Sequence, residues 1–305
     1  MALLNSGKKK GIFYIVCSAF FFALMLMFVR LSGDLPSMQK AFFRNFVAMF
    51  FALFILIKDK IKFSGKKENI KYLFLRSFIG VLGIIGNFYA VDHLVLSDAS
   101  ILNKMSPFFA IVFSYFIVKE KVHPIQMSII TTAFLGSMLV VKPSVDIFQN
   151  PASLAGLIGG ICAGFAYACV RKLGENGEKG PFVVFFFSAF SCLCLLPFLI
   201  FDFHPMTLKQ LIFLLLAGLS AAGGQFTITA AYFHAPAREI SVYDYSQLIF
   251  TALLGFFVFG QIPDLLSVIG YIVIVAMAIL MFLYNNGHIK LGGNNNESTT
   301  NLRKS

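Results

Sequence analysis

Residues 90–116, AVDHLVLSDASILNKMSPFFAIVFSYF, and residues 231–257, AYFHAPAREISVYDYSQLIFTALLGFF, stand 141 positions apart, and reading one against the other decides the fold. At that offset Ala90, His93, Ser100, Phe109 and Phe116 fall on Ala231, His234, Ser241, Phe250 and Phe257. Asp98 falls on Glu239 and Asn103 on Asp244, both conservative pairs. Far upstream the same register puts Val29-Arg30 on Val170-Arg171. Phe matches alone arise easily in a chain with 38 Phe, but matched Arg, His, Ser and acids without a gap do not. The chain is read as an internal duplication.

Working outward, each copy is almost wholly apolar. The 305 residues are 58% hydrophobic and only 13% charged, with a mean hydropathy of +0.81. A soluble domain carries about 25% charged residues, so soluble enzymes, coiled coils and disordered chains are excluded. A bilayer core about 30 Å thick needs about 20 helical residues to cross it. Charge, Pro, Gly and Asn punctuate the chain into ten such spans near 11–32, 37–57, 72–92, 97–118, 125–141, 154–171, 181–201, 210–233, 240–260 and 265–284. Five spans per copy is an odd number, so the second copy enters the membrane upside down. The expected fold is therefore all-α and integral to the membrane, with ten transmembrane helices as two inverted five-helix repeats. The expected organisation is an N-terminus over 1–10, repeats over 11–141 and 154–284, an extracytoplasmic linker over 142–153 and a disordered tail over 285–305. The Lys8-Lys9-Lys10 start is followed by a run too long for a signal-peptide core, so the first helix is expected to stay uncleaved.

The net charge of +11 is explained by the links and not by nucleic acid. Of the 25 Lys and Arg, eighteen lie in the N-terminus, the even-numbered links and the tail, against only Arg30, Lys40, Lys142 and Lys209 on the other side. The positive-inside rule then puts both termini in the cytoplasm of a multi-pass protein of the cytoplasmic (inner) cell membrane. The five cysteines sit inside apolar runs without disulfide or zinc spacing, and His93 and His234 lack a second ligand at helical spacing. No metal, no cofactor and no nucleic-acid partner is expected.

The stretch from Arg76 to Val141 resembles the EamA-type repeat of the drug/metabolite transporter superfamily. The marks are Tyr89-Ala90 before a short link, a small and polar helix start, Pro107, and an apolar span ending at Lys119-Glu120-Lys121. Ala230 to Leu280 resembles the other half, with Gln261 where the family often has Glu. The resemblance covers all but the tail. It implies a ten-helix permease with a central cavity, moving small metabolites such as amino acids, nucleobase-like or vitamin-like solutes, or S-adenosylmethionine.

Charges inside spans cost about 2.5–3.5 kcal/mol each on insertion scales and so call for a reason. Lys104 lies about two turns into the fourth span, and Asn103-Lys104 matches Asp244-Tyr245 in the ninth. Two readings stand: Lys104 and Asp244 offer opposite charges to a zwitterionic or carboxylate-bearing solute, or they neutralise each other. Arg44 is placed to take a solute carboxylate bidentately, whereas Arg76 reads as a cation snorkelling to the interface. Gln225, Tyr89, Tyr243 and Gln247 supply neutral polar groups, each equally suited to an interhelical bond. Pro107 is expected to kink the fourth span, and Arg30 and Arg171 to serve as gate-side or interfacial anchors. No Walker, Rossmann or H-E-x-x-H sequence is present, so no ATP-driven pump and no enzyme is expected. The expected function is secondary transport of a small polar metabolite by alternating access, with an amino acid or a derivative such as S-adenosylmethionine as solute and proton or other ion coupling through Asp244. A membrane enzyme on a lipid-linked substrate, or a non-transporting partner subunit of unknown oligomeric state, is the alternative.

Overall fold

The computed structural model describes residues 2–61, 65–94, 96–143, 150–287 and 289. Most of the expected tail, the centre of the linker, Lys62 and the side chains of Asp92 and Asp98 lie outside the described residues. Twelve helices are present among those described: α1 (Ala2–Leu31), α2 (Ser37–Lys58), α3 (Lys67–His93), α4 (Leu96–Asn103), α5 (Ser106–Ile117), α6 (Pro124–Val141), α7 (Pro151–Glu175), α8 (Gly180–Phe201), α9 (Leu208–His234), α10 (Ala237–Ile240), α11 (Ser246–Phe259) and α12 (Leu265–Asn285). A 3-10 turn, Ser241–Tyr245, joins α10 to α11. Ten stretches are long and apolar enough to cross a membrane, from Gly7–Leu31 to Leu265–Asn285. α4 with α5 forms the fourth, and α10, the 3-10 turn and α11 form the ninth.

The helices start where the chain can satisfy their free amides. Asn150 accepts from the Ala152 amide ahead of α7, with Pro151 in its first turn. Thr207 and Gln210 cap α9 reciprocally, and Asp264 accepts from the Ser267 amide at the start of α12. These caps matter because lipid offers no hydrogen bonds of its own. The spans are apolar all round and show no polar stripe. Phe54, Leu193, Phe257 and Ile272 all lie exposed on the outer surface, where lipid is the solvent.

Packing reproduces the duplication in space. α1 lies along α9, and its repeat mate α7 lies along α3, the mate of α9. α2 packs on its own mate α8, and α6 on its own mate α12. Such an exchange of partners is what an inverted repeat about a two-fold pseudo-axis produces. Between helices in lipid the hydrophobic effect is nearly absent, so close backbone approach carries the association. A Cβ on Gly86 would come within 2.6 Å of the Ala155 carbonyl, and one on Gly270 within 2.6 Å of the Gly136 carbonyl. Small residues therefore join α3 to α7 and α6 to α12.

Candidate functional site

The fourth span is interrupted at its polar residues. α4 ends at Asn103, Lys104 and Met105 form a turn, and α5 begins at Ser106 with Pro107 in its first turn. Pro107 has no amide to donate backwards, so the ladder breaks there. The Lys104 amide still donates to Ser100 (3.1 Å), while the Met105 amide reaches only the Leu102 carbonyl (3.2 Å), a 3-10 closure. Gly160 of α7 makes room for this turn, since a Cβ there would stand 2.3 Å from the Leu102 carbonyl. The ninth span is interrupted at the corresponding place by the 3-10 turn, without a proline.

The two interruptions meet. The Lys104 ammonium lies 3.4 Å from Asp244 Oδ2 and donates to Gln247 Oε1 at 2.6 Å. The Tyr245 hydroxyl donates to the Lys104 carbonyl at 3.1 Å, satisfying a carbonyl on the interrupted helix. Lys104 is 6% exposed and Asp244 7%, so the ammonium is compensated by Asp244 and Gln247, and the Asp244 carboxylate by Lys104. Asn103 stands half-buried beside them at the end of α4.

A second polar group comes from α2, α3, α7 and α9. Arg76 is 4% exposed, which corrects the expectation that it snorkels to the interface. Its guanidinium lies over the Phe187 ring at 3.7 Å, and Nη2 donates to Gln225 Oε1 at 3.2 Å. Half-buried Arg44 lies 5.8 Å over the Phe22 ring. Tyr167 connects the two groups, being within electrostatic reach of Arg44, Arg76 and Asp244. Nε of Arg44 and Nε of Arg76 are buried without a hydrogen-bond partner, and among the described residues neither side chain has an ion pair with a carboxylate.

Other candidates lie apart from these groups. Tyr89 is 44% exposed and stacks on His93 with ring centroids 4.1 Å apart. Tyr243 faces an apolar cavity of about 330 Å³ shared with Val16, Ile249, Ile274, Ala278 and Phe282, between α1, α11 and α12, and its hydroxyl is unpaired. Arg30 is exposed, with its guanidinium 4.5 Å over Phe259. Its repeat mate Arg171 is bound on all sides: Nε to Glu120 at 2.9 Å, Nη2 to Glu175 at 3.2 Å, and Nη1 to the Tyr232 and Phe233 carbonyls at 3.2 and 3.4 Å.

Arg171 belongs to a set of contacts that tie the repeats together on the face carrying most of the Lys and Arg. Lys8 pairs with Glu239 at 3.2 Å, and Asn69 donates to Glu178 at 2.8 Å. Burial lifts the Glu120 carboxyl above its ordinary range, while the hydrogen bond and charge of Arg171 draw it part of the way back. On the opposite face Gln39 exchanges hydrogen bonds with the His204 backbone, and Lys142 pairs with Asp264. The hydrogen bond from Lys142, then that from the Ser267 amide, holds the Asp264 carboxyl down at about 2. Among the described residues no group of three His, Cys, Asp or Glu is placed to hold a metal ion.

The sequence pointed neither to Tyr167 nor to the Arg171–Glu120 ion pair. A lone tyrosine in the Gly- and Ala-rich run of α7 was the signal for the first. Nothing along the chain pairs Glu120 with Arg171, 51 residues away.

The profile of the EamA-like transporter family matches this chain twice, over residues 9–142 and 150–283. A pseudopaline exporter of Pseudomonas aeruginosa, CntI, is 29% identical over 275 residues, covering 90% of this chain and 96% of that protein. The riboflavin transporter of Vibrio cholerae is 28% identical, covering 83% and 86%. Solute carrier family 35 member G1 of Homo sapiens is 25% identical, covering 88% and 80%. One solved crystal structure shares the fold, with a TM-score of 0.80 at 13% identity over 92% of this chain and 99% of that one.

Proposed function

Because the chain belongs to the EamA-like transporter family and is a multi-pass membrane transporter, we propose that it moves a small polar metabolite by alternating access, without ATP. The observation that carries this reading is the meeting of two helix interruptions, one from each repeat, in the buried Lys104–Asp244–Gln247 group. Interrupted helices at the interface of inverted repeats are where secondary transporters bind their solutes. Lys104 and Asp244 hold each other while the site is empty, and a solute with a carboxylate and an ammonium exchanges that pair for two of its own. Asn103, Tyr245 and Gln247 complete the hydrogen bonding. An amino acid or amino-acid derivative fits this chemistry.

The repeats, 11–141 and 154–284, are the bodies that rock. Arg171–Glu120 and Lys8–Glu239 form the latch on the Lys-rich face, which is cytoplasmic by the positive-inside rule, with both termini on that side. Breaking the latch opens the site to that face, and Asp244 is the group through which a proton couples. The test is counterflow in vesicles containing the purified protein, run with a pooled metabolite extract as the loaded phase. Accumulation is expected with the wild type and absent with Lys104→Met and Asp244→Asn. Wild-type accumulation in both variants refutes the assignment of the site.

A further inference from the structure

Two cations remain after the Lys104–Asp244 pair is accounted for. Within the bundle Asp244 is taken by Lys104, and among the described residues neither Arg44 nor Arg76 has a carboxylate as counter-ion. They stand on neighbouring helices, within electrostatic range of each other, and repel. The stacking over Phe187 and the bond to Gln225 fix the plane of Arg76 but bring it no negative charge. Both Nε groups are unpaired, and Nε is one prong of the side-on fork with which arginine holds a carboxylate. Buried charges inside a membrane protein are paired, or they mark a solute pathway.

We infer that Arg44 and Arg76 form an anion subsite, and that the solute is a polycarboxylate of net negative charge. This rests on the transport reading and narrows it. Two forks on separate helices fit two planar carboxylates joined in one molecule. The carboxylates lie toward Arg44 and Arg76, and Tyr167 and Gln225 donate to oxygens left over. If the solute also has an ammonium, it lies toward Asp244. S-adenosylmethionine, with one carboxylate against an ammonium and a sulfonium, adds net positive charge beside Arg44 and Arg76 and binds poorly.

The test is thermal unfolding of the full-length protein in detergent with four probes at about 10 mM each: citrate, succinate, inorganic phosphate and S-adenosylmethionine. A ligand with a dissociation constant near 1 mM raises the melting temperature by about 2 °C at that concentration. Citrate or succinate is expected to do so, and phosphate and S-adenosylmethionine are not. Arg44→Gln is expected to abolish the rise, whereas Lys9→Gln, an exposed substitution on α1, keeps it. Without ligand, Arg44→Gln is expected to melt at or above the wild-type temperature, because it removes an uncompensated cation, while a structural arginine would melt lower on replacement. No rise with either carboxylate, a rise with phosphate alone, an equal rise with S-adenosylmethionine, or a rise that survives Arg44→Gln each overturns the subsite. A carboxylate-dependent rise in a protein that shows no counterflow would keep the subsite and reject transport. Counterflow of a cationic solute with no carboxylate-dependent rise would do the reverse.

Discussion

Replacing Lys104 by Met isolates the electrostatics of the site. Two unit charges 3.4 Å apart attract by roughly 5 kcal/mol at an effective dielectric constant of 20. Both side chains are buried, so deleting one partner leaves the other without solvent, at a usual cost of about 3–5 kcal/mol. Gln247 also loses its 2.6 Å partner, while the Met side chain keeps most of the packing of the lysine stem, so a loss of about 4 kcal/mol is expected. For a chain of this size that lowers the melting temperature by about 6 °C. The double variant Lys104→Met, Asp244→Asn removes both charges and should return to within about 1 kcal/mol of the wild type, because a buried pair and its neutral replacement are often equally stable. The chain has no Trp, so unfolding is best followed with a thiol-reactive dye reporting on Cys169 and Cys192, both buried. Transport should stay absent in the double variant although stability is restored. Equal melting of the single and double variants would mean the two charges are not coupled and would refute the reasoning.

Gly160→Ala places a methyl 2.3 Å from the Leu102 carbonyl and forces the Lys104 turn off α7. A destabilisation of about 1–3 kcal/mol with loss of transport is expected, and wild-type melting and uptake would contradict the close approach. Glu120 should make stability depend on pH. Its folded value is raised, so its stabilisation is complete below the unfolded value of about 4.3 and is lost as pH rises through the raised value. The melting temperature of the wild type should fall over that interval and that of Glu120→Gln should not, in melts run from about pH 4.5 to pH 7.5. Cysteines placed at His93 and His234, after replacement of the five native ones, should react with an impermeant thiol reagent from opposite sides of the membrane. Labelling from the same side would end the inverted-repeat reading.

Much of this was legible along the chain. The interrupted fourth span was marked by Pro107 beside Asn103 and Lys104, and its partner by the 141-residue offset to Asp244. Arg76 was not. Its place near the end of an apolar run suggested an interfacial cation, yet α3 turns it onto Phe187 and Gln225. Tyr89, one of the polar groups singled out from sequence, stacks instead on His93 near the outside.

The sequence by itself determined the number of spans, their duplication and the inversion of the second copy. Lipid solvates no backbone, so each long apolar run must be a helix that crosses, and five crossings per copy fix its direction. Only the tertiary structure decided which polar side chains meet. Helices that are apolar all round carry no stripe to mark the face that turns inward, so a rotation of one residue, about 100°, is invisible in hydropathy. That rotation is set by where glycines let backbones touch, as Gly160 does against Leu102. It brings Lys104 to Asp244 and leaves two arginines inside without a carboxylate among the described residues.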